Sequence, residues 1–393
     1  MAGRIYFDHA ATAPIDPRVA SAMEMSRREV FGNPSSLHED GRKARAAVER
    51  ARGQVAALIN CEPGEIVFTA SGTESDNLAL TGVAEACGVS GIHIITSVIE
   101  HPAILETCNY LAHRRAAVTK LPVGSDGIVD PAELQRALRP ETKLVSIMAA
   151  NNVVGTIQLL PEIARIAHEH GALFHTDAVQ AAGKIPLNTQ KLPVDLLSLS
   201  AHKLHGPKGV GALFIRKGTN IGPLIHGGGQ EQGLRSATEN VAGIVGLGCA
   251  AELARTEMAA ENVRLVGMRD RLISEVTRNV PGAYLIGHPT RRLPGHVCLG
   301  LAGLEGEAIK LLLALDEAGV AVSSGSACSA HHAGEPSQLL IAMGFDPVRA
   351  RGSLRITLGR FNTEQEMERF LEILPRAVAS LRPMTTRPAV AKL

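Results

Sequence analysis

Between residues 65 and 215, short runs of β-branched and aliphatic residues alternate with segments of helical periodicity. No other feature restricts the fold as much. Period-two or continuous apolar runs predict strands over 66–69, 92–96, 117–121, 143–148, 172–176, 194–200 and 209–215. The intervening patterns predict helices beginning near Glu74 and over 103–113, 131–138 and 161–170. Strands separated by helical crossovers form a mainly parallel sheet with helices on both faces. Ligands bind such sheets at the carboxyl ends of the strands. Upstream, an extended piece over 6–14 leads into helices over 17–30 and 41–59, and a long helical stretch is expected over 240–279.

The polar residues gather where that rule puts a ligand: residues 71–73, His101, Asn151, Asn152, Asp177, Gln180, Ser200, His202 and Lys203. Each also has an ordinary reading. His101 and Asp177 could start or cap a helix, the asparagines suit a turn, and Asp8 and His9 could be solvated turn residues. The small-residue loop before Glu74 either caps a helix or offers free N–H groups to a phosphate. Lys203 is the more informative position, because it follows a buried strand in a connection pinned by Gly206 and Pro207. An amine held beside a sheet can have a lowered pKa and attack a carbonyl. Pyridoxal phosphate is the natural candidate, since it is held by a lysine Schiff base with an acidic partner for its ring nitrogen.

Composition removes other classes. The 393 residues carry a formal net charge of +1, with 3% aromatics and no Trp. Nothing favours nucleic acid or a charged membrane surface as partner. Six cysteines without a CxxC pair argue against a disulfide framework or zinc ribbon and suit a reducing cytosol. The N-terminus lacks a signal pattern, and no apolar run approaches the ~18 residues that span a bilayer. A cytoplasmic protein is expected.

Ten ordered blocks extend these observations over nearly the full chain: YFDHAATAP, GNPSSLHEDG, FTASGTESDN, EHPAIL, ANNVVGTIQ, HTDAVQ, SLSAHKLHGPKGVG, HGGGQEQGLRSATEN, SSGSACS and RGSLRITLGR. Together they resemble the cysteine desulfurases of the iron–sulfur-cluster and nitrogen-fixation type, within the pyridoxal-phosphate class V aminotransferase group. The resemblance implies an α/β, aspartate aminotransferase-like fold (fold type I). A large domain over 15–256 would hold a seven-stranded, mainly parallel sheet. A smaller α/β domain would comprise 1–14 and 257–393 and carry a cysteine loop at about 323–336.

By the same resemblance Lys203 holds pyridoxal 5'-phosphate and moves protons, Asp177 pairs with the ring nitrogen, and Gln180 bonds the phenolic oxygen. His101 stacks on the ring and acts as acid or base. Gly72, Thr73, Ser200 and His202 hold the phosphate, with Thr238 reaching in from the second subunit of a homodimer. Asn152 helps position both cofactor and substrate, and Arg355 clamps the carboxylate of the substrate L-cysteine. Cys328 is the nucleophile that takes the substrate's sulfur as a persulfide, leaving L-alanine, and passes it to a sulfur acceptor or iron–sulfur scaffold protein. No metal is required, although Cys328 could transiently ligate an iron–sulfur cluster. His331 and His332 could form a metal site with Cys328, but too few ligands lie nearby, and lining the loop or lowering the thiol pKa is expected instead; the other five cysteines read as packing residues. Selenocysteine lyase, a class V aminotransferase and a non-catalytic scaffold are alternatives. Two positions depart from the family pattern: Val154 stands where it usually has Glu, changing the polarity near Asn152, and Ala237 where it usually has Gly, at little cost unless the backbone there needs a positive φ.

Overall fold

The computed structural model describes residues 3–325 and 336–382. Cys328, His331, His332 and the tail from residue 383 lie outside the described residues. The first eight strands are β1 (Ile5–Tyr6), β2 (Ile66–Thr69), β3 (His93–Ser97), β4 (Ala117–Leu121), β5 (Thr142–Ser146), β6 (Leu173–Asp177), β7 (Leu196–Ser200) and β8 (Gly211–Ile215). Seven of them form one sheet in the order β2-β8-β7-β6-β5-β3-β4, in which β8 alone runs antiparallel to its neighbours. The connection explains the reversal. Residues 201–210 are too few for the dozen-residue crossover that a parallel neighbour needs. All the other carboxyl ends therefore open on one edge of the sheet.

Helices cover both faces. The first six are α1 (Pro17–Glu29), α2 (Glu39–Ile59), α3 (Gly72–Cys87), α4 (Pro102–His113), α5 (Pro131–Ala137) and α6 (Leu160–Glu169). In α2 the buried Ala44, Ala47, Val48, Ala51, Val55 and Ile59 repeat every three or four residues and form the inward stripe. They pack with Leu197, Leu199 and Phe214 on one face of the sheet. Leu196 and Leu213, one residue out of phase, meet Leu78 of α3 and Ile104 and Leu111 of α4 on the other.

The chain continues through α7 (Val241–Asn279), β9 (Ala283–Leu285), β10 (His296–Leu301), α8 (Ala308–Glu317), β11 (Val320–Ala321), α9 (Gln338–Ala342), β12 (Ser353–Thr357) and α10 (Glu364–Leu381). Antiparallel strands in the order β12-β10-β9 make a second sheet. β1 pairs in parallel with β11, Ile5 opposite Val320. These elements share a core of Phe7, Leu299, Ile356, Phe370 and Leu374. The 39 residues of α7, roughly 58 Å at 1.5 Å per residue, join both cores. Ile244, Leu247 and Ala251 belong to the first, and Leu265, Met268, Leu272 and Val276 to the second.

Two local readings change. The helix expected near Glu74 starts at Gly72, because the Ser71 hydroxyl accepts from the Glu74 N–H at 3.0 Å and caps it. Cys108 and Cys298 are buried packing residues as expected, but Cys87 is exposed at the end of α3. No helix among the described residues is long and apolar enough to cross a membrane.

Candidate active site

A cavity of about 670 Å³ opens at the carboxyl edge of the main sheet. Five of the strands ending there deliver polar groups. Residues 70–73 follow β2 and enter α3, His101 follows β3, Asn152 follows β5, Asp177 ends β6 with Gln180 just beyond, and Ser200 ends β7 with His202 and Lys203 just beyond. Arg355 arrives from β12, in the second core. Gly72, Thr73, His101, Asn152, Asp177, Gln180, Ser200, His202, Lys203 and Arg355 thus line one space, as the sequence reading expects of a shared ligand. Thr238 is exposed and does not line the cavity of its own chain.

The N-terminal segment is part of the wall, which sequence reasoning left as an open turn. Asp8, Ala10, Ala11 and Thr12 line the cavity, and His9 is only 4% exposed. Lys203 Nζ donates to the carbonyls of Ala10 and Ala11, both at 2.6 Å. Arg355 Nη2 donates to Asp8 Oδ1 at 2.9 Å and Nη1 to the Asn152 carbonyl at 3.1 Å, while its buried Nε has no hydrogen-bond partner. Each Nη nitrogen makes one of these bonds and carries a second N–H, so the guanidinium keeps donor capacity to spare.

Burial governs the electrostatics. It pushes the Asp177 carboxyl up, against the pull of nearby His101 and Lys203, and the Val179 N–H donates to Asp177 Oδ1 at 2.9 Å. Burial pushes His101 down, with Asp177 opposing. Its Nδ1 accepts the Ala103 N–H at 3.1 Å as the N-cap of α4, so in the neutral ring the proton sits on Nε2. Burial, then Lys203, Lys208 and Lys184, bring His202 to about 4. Three further ionisable groups escaped the sequence reading. Asp76, from α3, lines the cavity with one carboxyl oxygen that has no hydrogen-bond partner and lies 3.7 Å from His175 Nε2, and burial followed by the charge of Asp177 raises its pKa. Glu100 is raised to about 8 by burial, and it accepts from Ser97 Oγ at 2.6 Å and from the Met148 N–H. Lys184 donates to Gln180 Oε1 at 3.2 Å. Local pattern signals none of these, since it records which residues can be charged but not which distant segments bury them.

The residues present fit pyridoxal phosphate. A Cβ at Gly72 would lie 2.7 Å from Val179 Cγ2 and 3.3 Å from Ser200 Cβ, so only glycine lets the start of α3 come this close to the strand ends. That sixteen-residue helix points its amide groups and positive dipole end at the cavity, beside the hydroxyls of Thr73 and Ser200, as a phosphate requires. A lysine amine and a buried carboxylate share the same walls. The Asp177 carboxyl, raised by burial, gains a partner when a protonated ring nitrogen is brought to it.

Comparisons with known proteins agree. Residues 5–370 match the aminotransferase class-V family. The chain is 49% identical to a protein named cysteine desulfurase IscS from Dictyoglomus turgidum, over 98% of this chain and 97% of that relative. Among solved structures it is similar to a NifS-like protein, with a TM-score of 0.90 and 42% identity over 96% of this chain and all of that one. It is similar too to SspA, solved in complex with cysteine, with a TM-score of 0.80 and 34% identity over 91% of this chain and all of that one. Sheet topology, cavity chemistry and near full-length identity converge: the chain belongs to the cysteine desulfurase family of pyridoxal-phosphate-dependent class-V aminotransferases.

Proposed function

We propose that this chain removes sulfur from L-cysteine, giving L-alanine and a persulfide on Cys328. One observation supports it above the others: Lys203, Asp177 and Arg355 line a single cavity that Ser323, five residues before Cys328, also borders. When bound, pyridoxal phosphate supplies a sink for the electrons that develop at the substrate's α-carbon. The protein's own groups do the rest. Lys203 carries the cofactor on its amine and moves the α-proton. Asp177 keeps a proton on the ring nitrogen. His101 covers the ring and exchanges a proton at Nε2. Gly72, Thr73, Ser200 and His202 hold the phosphate, with Thr238 supplied by the second subunit of a homodimer. Arg355 grips the substrate carboxylate through the donor capacity left beside Asp8, and Asn152 positions it.

The Cys328 thiolate attacks the substrate sulfur. An S–S bond forms as the Cβ–S bond breaks, and the electron pair stays on the β-carbon, which takes a proton to become the methyl group of alanine. The terminal sulfur then passes to an acceptor such as an iron–sulfur scaffold protein in the cytoplasm. The domains fit this division of labour: 15–256 holds the cofactor, and 1–14 with 257–393 brings Arg355 and the cysteine.

The test is mass spectrometry of Cys328 after exposure of the purified holoprotein to L-cysteine, with alanine measured in parallel. One added sulfur on Cys328 is expected. Cys328→Ala should keep the cofactor's visible band and lose alanine formation, whereas Lys203→Ala should lose the normal band. An unmodified Cys328 together with keto-acid-dependent amino transfer overturns the reading in favour of an aminotransferase.

A further inference from the structure

Gln180 is buried, and both ends of its amide are engaged: Nε2 donates to the Ala10 carbonyl at 2.9 Å, and Oε1 accepts from Lys184 Nζ at 3.2 Å. Lys184 does not line the large cavity. It lines a second, smaller one of about 60 Å³. Gln180 lines the large cavity and not the small one, whereas Ala10 and Lys203 line both. The amide therefore bridges the cofactor cavity and a lysine behind it. An ammonium only donates and a carbonyl only accepts, so Lys184 and Ala10 fix the amide in the same sense. One N–H of Nε2 goes to Ala10, and the other remains for the cavity.

We propose that Lys184 is a positioning residue for the cofactor: it holds the Gln180 oxygen on its own side, keeps the NH₂ facing the cofactor's phenolic oxygen, and adds a positive charge behind that donor. The inference rests on the reading that Gln180 bonds that oxygen. Lys184 needs its charge for this role. Burial, then Lys203 and Arg355, bring it to about 7, and the negative charge of bound pyridoxal phosphate pulls it back up. Its cavity is also faced by His9, His205, His296, Arg360 and Glu261. His9 is lowered to about 3 and His296 well below its usual value, both chiefly by burial. His205 is lowered as well, again chiefly by burial. Arg360 is paired with Asp16 at 2.7 Å and Glu261 with Arg264 at 2.6 Å. Lys184 is thus the cation that answers to Gln180.

The experiment is a pH titration of the visible absorption of purified holoprotein. Removing a cation and weakening a donor at the phenolic oxygen lets the nitrogen linked through Lys203 keep its proton to higher pH. Lys184→Met should raise the midpoint by about one unit, and Lys184→Gln reads the same effect should the Met variant fail to fold. Lys184→Arg should leave the midpoint in place. Gln180→Ala should give a comparable rise, to which Lys184→Met adds only part of its own shift. A shift in Gln180→Ala with none in either neutral Lys184 variant overturns the inference and leaves the site reading standing. A Lys184 shift that adds in full to that of Gln180→Ala also overturns it. No shift in any of them removes the assignment of Gln180 itself.

Discussion

Ala237 has a φ of 154°, a backbone conformation that glycine adopts freely and residues with a Cβ avoid. The cysteine desulfurase pattern has glycine there, and the structure shows why the alanine has a cost. A residue held in such a region costs roughly 1–3 kcal/mol, and glycine's greater freedom in the unfolded chain offsets part of that. Ala237→Gly should therefore raise the unfolding free energy by about 1 kcal/mol, read as a higher denaturant midpoint at unchanged slope. An unchanged or lower midpoint would show that the turn tolerates the Cβ. Single residues also mark where sequence reading stops. Lys203 was legible because its strand and the Gly206-Pro207 turn are local. Glu100 was not, since its surroundings include the Met148 N–H, 48 positions away in the chain. His9 is in a turn, as its sequence suggests, but it is buried against Gly359, where an added Cβ would meet its ring, and not solvated.

The start of α3 shows how an element can be placed correctly and still be short by its functional turn. The sequence places the helix start near Glu74, because the small residues at 70–73 read as a loop, so the Ser71 cap and Gly72 fall outside it. Those two residues form the part that meets the cavity. Gly72→Ala should leave the fold in place, since alanine is a good helix former, and weaken pyridoxal phosphate binding to the apoprotein about tenfold or more. The estimate follows from the 1–3 kcal/mol typical of overpacking. The added methyl would meet Val179, whose N–H holds the Asp177 carboxylate, so both the phosphate end and the ring-nitrogen end are disturbed. A fluorescence titration with the cofactor measures this, and unchanged affinity would mean that the phosphate does not sit against the α3 turn. The reversal of β8 was implicit in the sequence as a ten-residue connection. The strand order was not, because pairing depends on contacts far apart in the chain.

At the scale of the molecule, the site draws on both cores: Lys203 and Asp177 from the main sheet, Arg355 from β12 and Asp8 from just beyond β1. The segment of α7 between its two buried stretches includes the exposed Ala259. A proline in a helix interior costs about 3 kcal/mol or more, so Ala259→Pro should split the melting of the apoprotein into two calorimetric steps where the parent shows one. Two steps in the parent would mean that the helix does not couple the cores. An unbroken α7 acts as a tie-rod, fixing the span between Arg355 and Lys203 across the cavity they share. A ligand that touches both ends then braces the whole molecule, and heat that loosens either end dismantles the pocket.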